Sequence, residues 1–180
     1  MPTVELEVEP AAIALPPAIV RLLAEADARI DAFVEARTDD PVFSFVPSDF
    51  NLVYRVLHTV AARHLAPGQA FCEWGSGFGV VTLLAVSLGF DGCGIETDAG
   101  LVEAAEALAE DFELPAEFAH GSFIPDGGDI LADRLGEFAW LDTDAPSAYE
   151  ELGVDADDFD VIFAYPWPGE EDVVLSLIHI

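Results

Sequence analysis

The stretch Glu73-Trp74-Gly75-Ser76-Gly77-Phe78-Gly79 constrains this chain most, because three alternating glycines close one apolar segment and open the next. Gln69-Ala70-Phe71-Cys72 before it has the length and content of a short buried strand. Val80 to Val86 after it reads as a buried helix. A strand that passes into a helix through glycines must either bend sharply there or admit a ligand against its peptide groups. Both readings stay open on this loop alone.

A second signal follows. Seventeen residues beyond Gly79, the run Gly92-Cys93-Gly94-Ile95 ends in Glu96. A second parallel strand ending there would present a carboxylate beside the glycine loop, where a ribose diol is commonly held. The alternative is a solvated acid at a strand end. The glycine spacing also separates ligand classes. Dinucleotide folds use G-x-G-x-x-G/A, and the sixth position counted from Gly75 is Val80, whose side chain crowds a pyrophosphate.

An acid followed by G-x-G-x-G resembles motif I of the class I S-adenosylmethionine-dependent methyltransferases, and Glu96 is similar to their motif II acid. The resemblance runs from about Ser48 to Trp167. It implies an α/β fold, an open and mostly parallel Rossmann-like sheet, here preceded by two helices. It also implies S-adenosyl-L-methionine as cofactor, held by Glu73, Gly75, Ser76, Gly77, Gly79, Glu96 and Thr97. Where the family commonly carries an acid or amide for the adenine amine, this chain has Ser122, so that the Ser122 hydroxyl or the Phe123 backbone would serve. Ala164-Tyr165-Pro166-Trp167 resembles the motif IV tetrapeptide of amino-group methyltransferases, with Ala164 in place of the hydrogen-bonding residue. Tyr165 and Trp167 are then the expected acceptor-side aromatics, and catalytic residues are left unassigned.

Flanking patterns fill in the organisation. After Pro16-Pro17, Ile19, Leu22, Leu23, Ala26, Ile30 and Phe33 recur at three- and four-residue steps, predicting an amphipathic helix. Ser48 is the expected N-cap of a second helix with Val53, Leu57, Val60 and Leu65 inward, ended by Ala66-Pro67-Gly68. The segment from Phe45 to Asp49 reads as a lid or as a loop packing aromatics on the core. Leu101 to Phe112 predicts a helix with Leu101, Ala105 and Leu108 inward, and Glu117 to His120 a strand whose His120 is a partly buried strand end more than a general base. Asp126 to Asp158 reads as an elaborated crossover anchored by Trp140 and Tyr149, and Asp160 to Ala164 as a fourth buried strand. The expected units are residues 1–47, an N-terminal extension, and residues 48–180, the cofactor-binding domain.

The resemblance calls for seven strands, and Glu170 to Ile180 would open only the next helix. The last six residues, Leu175 to Ile180, resemble translated adapter sequence, so the expectation is a truncated chain. A compact variant whose tail forms an edge strand or fills the core is the competing view.

Charge excludes more than it assigns. Thirty-five Asp and Glu stand against six basic residues, all Arg, for a formal charge of −29. Nucleic-acid binding draws on clustered Lys and Arg, and the arginines are spread from Arg21 to Arg134, so a nucleic-acid partner is not expected. The acidity fits either a saline cytoplasm or a GC-rich genome. Cys72 and Cys93 read as core, and the four scattered histidines predict no metal site. No segment has signal-peptide form or membrane-spanning length, which leaves a cytoplasmic protein with a small-molecule or protein acceptor and an open oligomeric state. Two rival functions remain: a non-catalytic protein that keeps the cofactor pocket, favoured by Ala164, and an NAD(P)-linked oxidoreductase, disfavoured by Val80 and by the lack of any Lys.

Overall fold

The structure, a computed structural model, describes residues 5–37, 46–125, 145–166 and 171–177. Four strands, β1 (Ala70–Trp74), β2 (Asp91–Glu96), β3 (Glu117–His120) and β4 (Val161–Ala164), form one open parallel sheet in the order β3-β2-β1-β4. The fold is thus α/β with a Rossmann-like parallel sheet. Six α-helices accompany the strands among the described residues: α1 (Pro17–Ala36), α2 (Phe50–Arg63), α3 (Val80–Ser87), α4 (Ala99–Asp111), α5 (Tyr149–Leu152) and α6 (Glu171–Leu177), with a short 3-10 turn at Ala156–Asp158.

Strand alternation divides the core into two layers. Phe71 on β1 faces the side covered by α1 to α4, where Leu22, Leu57, Leu83, Leu84 and Leu108 are buried. Cys72 and Trp74 face the opposite side, against Cys93, Ile95, Ala119, Phe123, Tyr149, Val174 and Leu177. Both cysteines are free and buried, as core residues. β1 and β4 are tied at their entry: Asp160 Oδ2 accepts the Ala70 N–H at 2.9 Å while the Asp160 N–H donates to Ala70 O at 2.8 Å.

The inward face predicted for α1 is observed, with Ile19, Leu22, Leu23, Ala26 and Ile30 buried, and so is that of α4. α2 differs. Asp49, not Ser48, caps it by accepting the Leu52 N–H at 3.0 Å, and the buried face carries Tyr54, Leu57 and Thr59. The N-terminal segment runs along this helix and covers Thr59: Thr59 Oγ1 donates to Glu9 O, and the Ala11 N–H to Arg55 O. Val53 and Val60 pack partly buried against the same core, and Leu65, past the helix end, is 44% exposed. The helix ends at Arg63, before Ala66-Pro67-Gly68, because His64 takes the left-handed C-cap conformation (φ +51°). Near the C-terminus, Glu171–Leu177 is helical, with Val174 and Leu177 buried, so an edge strand does not form over those residues. Trp140, Trp167, Phe45 and the tail beyond Leu177 lie outside the described residues.

Candidate functional site

In an open parallel sheet ligands collect at the carboxyl ends of the strands, near the point where strand order reverses. Here that point lies between β1 and β4, and the C-terminal edge carries Trp74, Glu96, His120 and Ala164. The sequence-predicted glycine loop leaves β1 at this edge.

All three loop glycines are in the left-handed region: Gly75 at φ +70°, Gly77 at +52° and Gly79 at +66°. Side chains other than glycine rarely adopt this backbone. The glycines are therefore required by the turn itself. Their surroundings differ, however. A Cβ at Gly75 would meet nothing within 4 Å, whereas one at Gly79 would strike the Phe118 ring of β3. Gly75 borders open space and Gly79 is a packing position. Gly75 and Ser76 N–H groups both donate to Ile95 O at 2.9 Å, pinning the loop to β2. Ser76 is buried beside Gly94, where a Cβ would lie 2.6 Å from the Ser76 Cβ, and its Oγ has no hydrogen-bond partner.

Glu96 closes the loop from the other strand. Its Oε2 accepts the Gly77 N–H at 2.9 Å, while Oε1 accepts the N–H groups of Thr97 (2.7 Å) and Asp98 (3.0 Å) and lies 3.3 Å from Thr97 Oγ1. An ionised carboxylate offers about four lone-pair sites. Oε1 is fully engaged, so Oε2 keeps the capacity for one further donor. Thr97 turns its hydroxyl toward Glu96 and acts through that carboxylate. The His120 ring Nε2 lies 2.9 Å from Thr97 O, so His120 also braces this turn.

Glu73 sits deeper. Only 5% exposed, it accepts both the N–H (2.8 Å) and the hydroxyl (2.7 Å) of Thr82 through Oε2. This carboxyl therefore meets an unpaired N–H in the first turn of α3, where the helix dipole favours an acid and Gly79 offers no capping side chain. Burial pushes its pKa up to about 8 against the two Thr82 hydrogen bonds, which pull it down.

Ser122 and Phe123 follow β3. Ser122 bridges to Ser147, donates its N–H to Pro146 O at 2.8 Å, and uses its Oγ to accept the Ile124 N–H at 3.2 Å. Phe123 is stacked on Trp74, ring centroids 5.1 Å apart, and its carbonyl accepts the Tyr149 hydroxyl at 2.8 Å. Glu73, the glycine loop and Glu96 are thus drawn together at the ends of β1 and β2. Ser122 and Phe123 stand beside Trp74 on the other face of the sheet. Tyr165 is 59% exposed just past β4, and Trp167 is outside the described residues.

A contributor absent from the sequence reading is the end of α1. Phe33 packs edge-on against Phe78 of the glycine loop, centroids 5.1 Å apart, and Arg37 lies over the Phe33 ring at 4.1 Å. Arg37 also forms an ion pair with Asp98 Oδ2, while Asp98 Oδ1 accepts the Gly100 and Leu101 N–H groups to cap α4. Burial would raise the Asp98 pKa, but the Arg37 guanidinium and these amides outweigh it and hold it below its usual value. The available signal was Asp98 itself, an acid at an N-cap position followed by Ala-Gly. Nothing in the sequence pairs it with a residue sixty-one positions earlier.

No metal-holding group of three or more His, Cys, Asp or Glu occurs among the described residues, and none of their helices is long and apolar enough to cross a membrane. No protein-family model matches the chain, and no curated protein does. Among solved structures, it is similar to the tRNA (uracil-54, C5)-methyltransferase of Pyrococcus abyssi in complex with S-adenosyl-L-homocysteine, at 22% identity and a TM-score of 0.35. The similarity covers 44% of this chain and 20% of that one, so this chain spans about a fifth of that protein's length.

Proposed function

We propose that the chain binds S-adenosyl-L-methionine at the C-terminal edge of β1 and β2 and serves as a methyltransferase toward a small-molecule or protein acceptor. The observation that carries this reading is the hydrogen bond from Gly77 N–H to Glu96 Oε2. It brings the glycine loop of β1 and the acid of β2 together at the C-terminal edge of the sheet, one strand from the order reversal, with open space at Gly75. The residues present fit such a cofactor. Glu96 Oε2 can accept a ribose hydroxyl without giving up its contact to Gly77. The unpartnered Ser76 hydroxyl is a buried polar group that gains from a ligand or water donor or acceptor.

When bound, the cofactor supplies a methyl carbon already activated by a sulfonium, open to in-line displacement by an acceptor lone pair. The chain's own contribution is alignment and exclusion of water. Glu96 fixes the ribose end, Gly75 leaves room beside the loop, and Tyr165 borders the acceptor side. Val80, 2% exposed at the first turn of α3, packs into the core where a dinucleotide fold carries a Gly or Ala for close helix–strand packing, which argues against NAD(P). A non-catalytic binding role is a second reading, favoured by Ala164, which brings no hydrogen-bonding side chain to the end of β4.

Calorimetric titration with S-adenosylhomocysteine, S-adenosylmethionine and NAD tests the ligand class. We expect the first two to bind and NAD not to. Glu96→Ala should cost about 1–3 kcal/mol of S-adenosylhomocysteine affinity, the range for hydrogen bonds to a charged group. Gly77→Val should abolish binding by filling the loop. Binding of NAD alone, or unchanged affinity in both variants, would remove the assignment. Methyl transfer to an acceptor panel then separates the enzyme from the non-catalytic binder.

A further inference from the structure

The end of α1 and the turn after β2 are linked by a continuous chain of polar contacts that reaches the ligand-facing acid. Arg37 pairs with Asp98 Oδ2, the Asp98 N–H donates to Glu96 Oε1, and Glu96 Oε2 accepts from Gly77. The guanidinium is itself held in place. Its Cζ lies 4.1 Å over the Phe33 ring, which packs edge-on against Phe78 in the same glycine loop, and it passes beside Gly100, where a Cβ would come within 2.8 Å of Nη2. A side chain at position 100 would make the tip of Arg37 shift. A helix far away in sequence therefore grips the loop at Phe78 and the following turn at Asp98, the two sides of the site.

We infer that Arg37 is a positioning residue for the ribose-binding acid, and that α1 thereby sets nucleoside affinity without touching the ligand. The inference rests on the reading that Glu96 holds a ribose. Arg37 fixes Asp98, Asp98 fixes the start of α4 and presents its own N–H to Glu96, and the Glu96 carboxylate is then held with Oε2 toward the loop. Release of Asp98 frees the turn from Thr97 to Gly100, so Oε1 loses ordered donors and the carboxylate samples other rotamers. The ion pair is about a third exposed on both sides, so its influence is graded and salt-sensitive.

The test uses the whole chain in two measurements. In the ligand-free protein, Arg37→Met should speed amide hydrogen exchange at Thr97, Asp98 and Gly100 and leave the amides of β1 unchanged. With S-adenosylhomocysteine as probe, Arg37→Met should weaken binding about two- to fivefold, the span of a partly exposed ion pair. That loss should vanish in a Glu96→Gln background, because Arg37 acts through Glu96, and Arg37→Lys should restore part of it. Asp98→Asn keeps the helix cap while removing the charge, and should reproduce the Arg37→Met phenotype from the other side. Equal losses in both Glu96 backgrounds, or unchanged exchange at Thr97 and Asp98, would overturn the inference. Absence of S-adenosylhomocysteine binding in the unaltered chain would defeat the cofactor reading instead, and the exchange measurement would still decide whether Arg37 orders the turn.

Discussion

Glu73 Oε2 receives both the backbone N–H and the hydroxyl of Thr82, at 2.8 and 2.7 Å, in a fully enclosed position between β1 and α3. The carboxyl has a pKa of about 8 in the folded chain against an ordinary 4.5, with burial as the chief cause. The folded state thus binds the proton more tightly than the unfolded state does. Stability from this group is fully present below about pH 4.5, declines as pH rises, and is lost by about pH 8. Each unit of the difference corresponds to about 1.4 kcal/mol. Glu73→Gln keeps an acceptor for Thr82 and removes the charge. It should raise the melting temperature relative to the unaltered chain at pH 8 and make little difference at pH 5. A gap between the two proteins that does not change with pH would show that Glu73 is ionised throughout.

Gly75 and Gly79 share a left-handed backbone but not a neighbourhood. Gly75→Ala should cost about 1–2 kcal/mol, the penalty of a Cβ at positive φ. Gly79→Ala adds a clash with the Phe118 ring and should cost roughly 2–4 kcal/mol. Urea denaturation of the two variants measures the gap. Equal losses would mean that Phe118 moves aside without penalty.

Tyr149 is 6% exposed and donates its hydroxyl to Phe123 O. Tyr149→Phe keeps the ring in the layer that holds Trp74 and removes this hydrogen bond, at a cost of about 0.5–1.5 kcal/mol. Denaturant titration of this variant checks it, and a change within experimental error would show that water takes the hydroxyl's place.

Net charge gives the clearest solvent dependence. Thirty-five carboxylates, offset by only six arginines, repel one another, and monovalent salt screens that repulsion. Melting temperature should climb as sodium chloride approaches molar concentration. A flat or falling curve would favour genome composition as the origin of the acidity.

The segment from Ala70 to His120 was legible because each element carried its own local signal. Apolar runs bounded by glycine gave β1, α3 and β2, and the three-and-four periodicity of Leu101, Ala105 and Leu108 gave α4. Contacts between distant segments carried no such signal. The burial of Thr59 depends on Glu9 lying along α2, and the pairing of Arg37 with Asp98 depends on α1 reaching the glycine loop. Glu73 and Glu96 could be named from spacing, but not the division between them. Alternation along the strands puts both on the same face, and only the depth of each carboxyl separates an acid buried on Thr82 from one that keeps a free lone pair.

The sheet order also sets a sequence of assembly. β1, β2 and β3 are joined by short crossovers through α3 and α4, while β4 meets β1 through Asp160 and Ala70, ninety positions apart. Closing the shorter loops costs less entropy, so the three-stranded half is favoured to form before β4 docks. A chain emerging from the ribosome therefore has Glu96 and its glycine loop in hand while Tyr165 is still being synthesised, and the C-terminal edge of β1 and β2 can take shape before β4 is laid beside it.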